Sequence, residues 1–203
     1  LTGHTRVVGV IGWPIEHSVS PPMHNAAFQA LGLDWCYVPF PVHPERVREA
    51  LIGARALGLK GLNATIPHKQ ALLSLMDELT PEARAIGAVN TVILRDERTI
   101  GHNTDAAGFL RALQEAGFAP EGCFALVLGA GGAARAVVYA LCSIGAQVMI
   151  LNRTVSRARA LADAFSRMIP NARLAADALD QETLARVSRQ AQLIINTTPL
   201  GMW

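Results

Sequence analysis

The sequence has little charge and few cysteines. Only 17% of its 203 residues are charged, the net charge at pH 7 is +2, and no long basic run occurs. This composition argues against a disordered chain and against nucleic acid as a partner. Cys36, Cys123 and Cys142 lie far apart among apolar neighbours. They predict buried free thiols in a reducing compartment, not a disulfide framework or a zinc site.

The sequence also lacks a recognisable leader and a convincing membrane span. No basic segment followed by an apolar stretch opens it, so we expect a cytoplasmic protein. Residues 123–151 carry one charge, Arg135, and resemble a span at first sight. Gly129, Gly131 and Gly132 interrupt this stretch after about six apolar residues, the length of a buried strand. The stretch therefore predicts a strand, a turn, a helix and a second strand.

Segments typical of strands alternate with segments typical of helices, which predicts an α/β fold with mostly parallel sheets. The predicted elements before the boundary are strands at 7–12, 35–42 and 60–66, helices from Pro21 to about Leu31, at 44–58 and at 68–76, and a strand pair turning at Asp96–Glu97. A helix at 104–117 marks a change of pattern. We predict two α/β domains, a substrate-binding domain at 1–104 and a Rossmann-type dinucleotide-binding domain at 105–203.

A glycine-rich turn follows the predicted strand "FALVLG". In the next residues, "GAGGAARAVV", Gly129, Gly131 and Ala134 match the pattern G-x-G-x-x-A. The first glycine permits a tight turn, the second lets a pyrophosphate approach the backbone, and the small third residue keeps helix and strand close. With a strand before it and a helix after it, the motif predicts a bound dinucleotide.

The end of the next strand indicates which dinucleotide is bound. An acidic residue usually holds a free ribose 2′-hydroxyl about 20 residues after the glycines. Here the strand "QVMIL" runs into "NRTVSR", with Asn152, Arg153, Thr154 and Arg157, and no acid comes before Asp163. Because guanidinium groups match phosphate oxygens in charge and geometry, this stretch favours NADP over NAD.

The stretch "EHSVSPPMHN" places Ser18 and Ser20 one residue apart, before two prolines. In an extended backbone their hydroxyls would point to the same face. Ser20 suits an N-cap and Pro21 the first position of a helix. Two interpretations stay open: helix capping by Ser20 with Ser18 in a loop, or a site for a carboxylate beside the helix N-terminus.

The stretch "GLNATIPHKQ" has the same alternation, with Asn63 and Thr65 expected on one side. Pro67 would open a helix and place Lys69 in its first turn, where the helix dipole favours loss of the lysine proton. A catalytic lysine and a surface lysine are both compatible with this position. Asn90 lies in an apolar strand, where a buried amide needs partners such as ligand hydroxyls.

Asp105 in "GHNTDAAG" starts the helix at 104–117. The helix dipole favours its ionised form there, and capping is the alternative role. The histidines show no metal-ligand spacing, and we expect no metal.

Seven motifs together are similar to those of the shikimate dehydrogenase family. They occur in the family's order from end to end of the chain: "GVIGWPIEHSVSPPMHN", "GLNATIPHK", "IGAVNT", "GHNTDAAGF", "GAGGAARAV", "NRT" and "INTTPLGM". The resemblance implies an enzyme that reversibly reduces 3-dehydroshikimate to shikimate with NADPH, a step of aromatic amino acid biosynthesis. It also implies a monomer or homodimer without nucleic-acid or membrane partners.

The resemblance implies roles for individual residues. Lys69 and Asp105 would be the catalytic pair, and Ser18 and Ser20 would hold the substrate carboxylate. Contacts to the ring hydroxyls would come from Asn63, Thr65, Asn90 and Asp105. Contacts to the cofactor would come from Gly129, Ala130, Gly131, Gly132 and Ala133 at the pyrophosphate, Asn152, Arg153, Thr154 and Arg157 near the 2′-phosphate, and Thr197, Thr198 and Met202 near the nicotinamide.

The family's pattern continues beyond "PLGMW" with a helix that returns to the substrate domain and with a glutamine and a tyrosine that contact substrate. The resemblance therefore implies a chain truncated at its C-terminus. Two alternatives stay open. One is a quinate or quinate/shikimate dehydrogenase, which the Ser-x-Ser pair and Arg153 without a neighbouring acid disfavour. The other is a non-catalytic NADP-binding module.

Overall fold

The computed structural model describes residues 1–95 and 98–201. Two compact units divide the chain, Leu1–Asn103 and Thr104–Trp203. Each unit contains one β-sheet with helices, so the predicted fold class of two α/β domains is confirmed. The turn predicted at Asp96–Glu97 falls outside the described residues.

The first unit contains a six-stranded mixed sheet. Its strands are β1 (Arg6–Gly12), β2 (Trp35–Pro41), β3 (Gly61–Ala64), β4 (Glu78–Leu79), β5 (Thr91–Arg95) and β6 (Arg98–His102). The strand order is β2-β1-β3-β5-β6-β4, and β5 runs antiparallel to both of its neighbours, β3 and β6. The predicted strands at the start of the chain and the predicted strand pair are confirmed.

The α-helices of this unit lie between its successive strands along the chain. They are α1 (Ser20–Ala30), α2 (Val47–Ala56), α3 (His68–Ala71) and α4 (Pro81–Ile86). The helix predicted at 44–58 begins with a 3₁₀ turn at Pro44–Arg46 and ends two residues early. The helix predicted at 68–76 is a single α-turn followed by a 3₁₀ turn at Leu72–Leu75. The apolar face of α2, with Val47 and Leu51, packs into the core of the sheet.

The direction of β5 has a consequence for the site. Because β5 is antiparallel to β3 and β6, its first residue lies at the same sheet edge as their last residues, with Thr91 opposite Asn63 and His102. The carboxyl ends of β1 and β2 lie at this edge too, since both are parallel to β3 in direction. Segments far apart in the sequence therefore meet at one edge, which we call the carboxyl edge of the first sheet.

The second unit is a four-stranded parallel sheet with the order β10-β7-β8-β9. Its strands are β7 (Phe124–Leu128), β8 (Gln147–Asn152), β9 (Arg173–Ala178) and β10 (Leu193–Asn196), and its helices are α5 (Asp105–Glu115), α6 (Gly132–Ser143), α7 (Val155–Met168) and α8 (Gln181–Ser188). The chain adds β8 and β9 on one side of β7 and then places β10 on the other side. This reversal of order next to β7 is the switch point at which such sheets bind nucleotides.

The apolar stretch at 123–151 folds as predicted, as β7, α6 and β8. Helix α6 is apolar around most of its circumference because it lies in the core of the unit, where Val138 and Leu141 are fully buried. Among the described residues, no helix is both long enough and apolar enough to span a bilayer.

The cysteines are free thiols, as predicted, but their burial differs. Cys142 is buried, and burial raises the pKa of its thiol to about 11. Cys36 and Cys123 are only half-buried, so the prediction of burial was wrong for these two. Cys36 is the second residue of β2 and Cys123 directly precedes β7, so both lie at the start of a strand.

Helix α2 contains a glycine that a larger residue can replace. Gly53 lies in the helix interior, and a Cβ atom built on it meets no atom within 4 Å. Glycine costs a helix interior roughly 0.5–1 kcal/mol relative to alanine. We therefore expect Gly53→Ala to raise the free energy of unfolding by about that amount, measured by urea denaturation.

Gly58, at the end of the same helix, provides the matched control. A Cβ there also meets open space, but Gly58 has φ +72°. Its N–H donates to Arg55 O at 2.9 Å and the N–H of Leu59 donates to Ala54 O at 3.0 Å, which is a Schellman motif. Gly58→Ala should lower stability by about 1 kcal/mol or more, because L-residues disfavour this conformation. Equal effects at the two positions would contradict the argument.

Candidate active site

The loops after β1 and β3 are bonded to each other at the carboxyl edge of the first sheet. The N–H of Trp13 donates to Ile66 O at 3.0 Å, and the N–H of Thr65 donates to Ile11 O at 3.0 Å. A Cβ on Gly12 would lie 2.6 Å from Cγ2 of Thr65. Glycine at position 12 is therefore required for Thr65 to lie against β1, next to the loop that carries the serine pair.

Ser18 and Ser20 lie together, but not as predicted. Val19 between them adopts a helical conformation (φ −85°, ψ −2°) and occupies the N-cap position, and α1 begins at Ser20. Both the extended backbone and the N-cap role of Ser20 were therefore wrong. The Ser18 hydroxyl accepts a hydrogen bond from the N–H of Ser20 at 3.3 Å. Pro21 and Pro22 fit the first turn because helix N-termini need no intrahelical N–H donors there.

Asn63 and Asn90 belong to one hydrogen-bond network at the same edge. Nδ2 of Asn63 donates to Asn90 O and to Oγ1 of Thr91, both at 3.2 Å. Oγ1 of Thr91 in turn donates to Oδ1 of Asn90 at 2.9 Å. Asn90 is buried, as expected of an amide with partners, although it lies just before β5 and not inside it.

The phenol of Tyr37 joins this network from β2. Its hydroxyl donates to Oδ1 of Asn63 at 2.7 Å. Burial raises the pKa of Tyr37 to about 12, and a hydrogen bond with the Ser20 side chain opposes part of the rise. The phenol is therefore a neutral donor near neutral pH, and it connects Ser20 to Asn63.

Lys69 is the second residue of α3, close to its predicted position in the first turn. The helix has only four residues, so the dipole on which the prediction relied is that of one turn. Its main chain is fixed, because Lys69 O accepts from the N–H of Val89 at 2.7 Å. Neighbouring His68 is buried and Nε2 lies 2.8 Å from Val42 O. Burial lowers the pKa of His68, and the neutral ring anchors α3.

Asp105 is the first residue of α5, which begins the second unit, and Thr104 occupies the N-cap position. Asp105 is therefore not the cap of this helix. Two residues earlier, buried Asn103 donates through Nδ2 to Ala88 O at 2.9 Å. This bond ties the end of β6 to the segment that carries Asn90.

In the second unit, the glycine motif surrounds the end of β7. Gly129 has φ +111°, and a Cβ there would lie 2.5 Å from Oγ1 of Thr197. Thr197 follows β10, and its hydroxyl donates to Leu128 O at 2.6 Å. At Gly131, by contrast, a Cβ atom built on the glycine meets no atom within 4 Å. Ala134 is fully buried against β7, so each of the three positions has the property that the dinucleotide motif requires.

The stretch "NRTVSR" lies at the end of β8 and the start of α7. Asn152 is the last residue of β8, and its Nδ2 donates to Thr154 O at 2.9 Å. Thr154 occupies the N-cap position of α7, whose first turn contains no acidic residue. Arg153 and Arg157 are exposed. Within residues 1–95 and 98–201, neither arginine forms an ion pair, so both are open to an anion.

The turn after β10 is held by Asn196. Its Oδ1 accepts from the N–H and from Oγ1 of Thr198, at 2.9 and 2.7 Å, and its Nδ2 donates to Leu200 O at 2.9 Å. Thr197 and Thr198 are thereby fixed on the β10 side of the switch point. Met202 lies outside the described residues.

Sequence reasoning missed four polar residues that hold this site: Tyr37, Thr91, Asn103 and Asn196. A usable signal existed for Tyr37, which is a polar tip in an otherwise apolar strand. Thr91 and Asn196 are adjacent to predicted site residues and Asn103 lies two residues before Asp105, so only their tertiary partners distinguish these three. The described part of the chain contains no group of three or more His, Cys, Asp or Glu side chains that could hold a metal ion.

Two family models match the chain. Residues 10–92 match the shikimate dehydrogenase substrate binding domain, and residues 112–198 match shikimate / quinate 5-dehydrogenase. The chain belongs to the shikimate dehydrogenase family. The resemblance inferred from the seven motifs is confirmed.

Relatives within the shikimate dehydrogenase family match along the whole chain. The shikimate dehydrogenase (NADP(+)) of Geobacter metallireducens is 51% identical over 100% of this chain and 71% of its own length. The crystal structure of shikimate 5-dehydrogenase from Thermus thermophilus in complex with NADP(H) and shikimate has a TM-score of 0.83 and 42% identity, over 97% of this chain and 69% of that one. Quinate dehydrogenase from Corynebacterium glutamicum in complex with NAD has the same TM-score of 0.83 at 33% identity, over 96% of this chain and 71% of that one.

Proposed function

We propose that the protein is an NADP-dependent oxidoreductase that reversibly reduces 3-dehydroshikimate to shikimate. The observation that carries this proposal is the 51% identity, along the whole chain, to a relative named shikimate dehydrogenase (NADP(+)). The fold supports it, because a nucleotide-type switch point and a polar sheet edge are both present.

The carboxyl edge of the first sheet supports binding of a carboxylate with several ring hydroxyls. Ser18 and Ser20 lie beside the N-terminus of α1, an eleven-residue helix, where hydroxyl donors and the helix dipole favour an anion. Asn63, Thr65 and Asn90 lie at the same edge and offer amide and hydroxyl groups. We assign the serines to the carboxylate and the other three residues to the ring hydroxyls.

We assign the proton transfer to Lys69 and the orientation of the substrate to Asp105, the two residues of the proposed catalytic pair. NADPH, when bound, supplies the hydride that adds to the C3 carbonyl carbon. Lys69 then gives its proton to the carbonyl oxygen, which becomes the C3 hydroxyl, and the reverse reaction returns that proton to Lys69. Asp105 starts α5, where its carboxylate is stabilised by the helix dipole and accepts a hydrogen bond from a ring hydroxyl.

The second unit fits NADP. The open space at Gly131 admits a pyrophosphate against the N-terminus of α6, and we assign Gly129, Ala130, Gly132 and Ala133 to the same turn. Arg153, Thr154 and Arg157 are exposed at the end of β8 with no acid in the first turn of α7, which favours a 2′-phosphate. Asn152 supports this turn, and Thr197, Thr198 and Met202 are assigned to the nicotinamide side.

The assay that tests this proposal is NADPH oxidation by the whole protein with 3-dehydroshikimate, and NADP reduction with shikimate. Turnover in both directions, faster with NADP than with NAD, is expected. Quinate with NAD is the matched comparison, because the fold does not separate the two activities. Faster turnover of quinate would establish the quinate dehydrogenase instead, and NADPH binding without any turnover would establish a non-catalytic module.

Replacement of the serines tests the carboxylate site. Ser18→Ala and Ser20→Ala should each raise KM for shikimate by about tenfold, the low end for loss of a hydrogen bond to an ionised group. KM for NADP should change little, because the two serines lie in the first unit. Steady-state kinetics measure both constants. An unchanged KM for shikimate in both variants would leave the pair only a structural role at the start of α1.

The proposed setting is the cytoplasm, which keeps thiols reduced, because three cysteines occur without a disulfide. We propose that the protein acts on a small molecule as a monomer or homodimer.

A further inference from the structure

Tyr37 is buried in the first unit, and the proposed reaction does not use it. It lies on β2 with 4% of its surface exposed. Val8 on β1 is opposite Tyr37, and Val10 on β1 is opposite Asn63 on β3. The hydroxyl of Tyr37 reaches Asn63, so the phenol crosses β1, where it packs with Val10 and Ile15. The side chain thus connects two strands that do not pair with each other.

His24 and Asn25 of the serine motif hold this ring in place. His24 stacks on Tyr37, with ring centroids 4.2 Å apart and an interplanar angle of 12°. Nδ1 of His24 lies 2.9 Å from Ser20 O. Asn25 bonds to both main-chain groups of Tyr37, accepting from its N–H at 2.8 Å and donating to its carbonyl at 2.9 Å. The position of the phenol is therefore coupled to α1 and to Ser20.

The Asn63 amide is held from both of its ends, and the hydroxyl of Tyr37 holds the oxygen end. The NH₂ group faces Asn90 O, a main-chain carbonyl that can only accept, and Oγ1 of Thr91, so Oδ1 faces Tyr37 and accepts from the phenol. Thr91 then donates to Oδ1 of Asn90, which extends the hydrogen-bond chain from Tyr37 to Asn90. Without the phenol hydroxyl, Oδ1 of Asn63 would lose this donor, and the amide would be held only through its NH₂ group.

We propose that Tyr37 is a positioning residue that holds Asn63 in place from its oxygen end and, through Thr91, steadies Asn90 for recognition of the substrate ring hydroxyls. This role rests on the proposed function. A fixed amide presents acceptor and donor in one order only, so a substrate whose hydroxyls are arranged differently meets unpaired groups. Tyr37 therefore contributes to the selection of shikimate without contacting it.

Tyr37→Phe is the direct test, because it removes the hydroxyl and keeps the ring that stacks on His24. We expect kcat/KM for shikimate to fall roughly three- to tenfold through loss of one hydrogen bond, mainly through KM, with KM for NADP unchanged. Tyr139→Phe on α6 is the matched control and should change neither constant. Loss of thermal stability with unchanged KM for shikimate would overturn the proposal.

A double-mutant cycle separates positioning from direct contact. If Tyr37 acts through Asn63, adding Tyr37→Phe to Asn63→Ala should lower kcat/KM no further, whereas additive losses would overturn the proposal. Thr91→Val interrupts the same series of hydrogen bonds between Asn63 and Asn90. It should give the same selective rise in KM for shikimate even if Tyr37→Phe folds poorly. Wild-type protein that does not oxidise shikimate would remove the proposed function itself, a result distinct from any of these.

Discussion

Lys69→Ala lowers kcat and kcat/KM for shikimate together by about 10²–10⁴-fold, the usual contribution of a general acid or base. The position of Lys69 supports this expectation. Its carbonyl is bonded to Val89, next to Asn90, and the buried ring of His68 anchors the same turn. Substrate affinity should change less than kcat, because the proton transfer occurs only in the transition state. Steady-state kinetics and substrate titration measure the two effects.

Two further variants complete the Lys69 experiment. Lys69→Arg should not restore the rate, because a guanidinium does not release its proton near neutral pH. Lys60→Ala should leave kcat unchanged, because Lys60 is exposed just before β3, at the opposite end of that strand. Circular dichroism checks that the variants are folded. If Lys69→Ala keeps most of its kcat, Lys69 is only a binding charge, and Asp105 or water supplies the proton.

Arg153→Ala weakens NADPH binding by about one to two decades, or roughly 1.5–3 kcal/mol, while NADH binding stays nearly constant. The difference arises because only NADPH carries the 2′-phosphate that an exposed arginine at the end of β8 can contact. Dissociation constants for both cofactors, measured by fluorescence titration, give the ratio directly.

Arg167→Ala controls for the general loss of positive charge, since Arg167 lies in the last turn of the same helix, α7. It should leave both dissociation constants unchanged. Equal weakening of NADPH and NADH by Arg153→Ala would contradict a role at the 2′-phosphate and would favour a contact with a part that the two cofactors share.

The sequence predicts the second unit better than the first for a physical reason. Its sheet is parallel, and its motif residues sit at turns that directly follow a strand, so strand, turn and helix can be located one after another. Gly129, Gly131 and Ala134 each have a local requirement that is visible in the sequence. In the first unit, β5 enters the sheet antiparallel to β3, and hydrophobic patterning does not specify which strand pairs with which.

The serine pair shows the same limit on a smaller scale. An extended segment and a helix start both satisfy the pattern Ser-Val-Ser-Pro-Pro, and the chain adopts the second, with Val19 in a helical conformation. Ser18 and Ser20 still lie together, because the N–H of Ser20 donates to the Ser18 hydroxyl, and their joint role at a carboxylate stays a prediction. Tyr37 stands out locally as a polar tip in an apolar strand, but its partners Asn63 and Asn25 lie 26 and 12 residues away, so the sequence does not show what the tip contacts.

The bonds between Asn25 and the main chain of Tyr37 also affect how the molecule meets other chains. β2 is an edge strand. By the alternation of a parallel ladder, the main-chain N–H and C=O groups of every second residue point away from β1, and these residues are Trp35, Tyr37, Pro39 and Pro41. The N–H of Trp35 donates to Leu33 O, the N–H of Tyr37 donates to Asn25, and the two prolines have none. This strand, described in full, therefore offers no outward N–H donor to a strand from another molecule. Asn25, which steadies the phenol, and the two prolines therefore disfavour edge-to-edge pairing along β2.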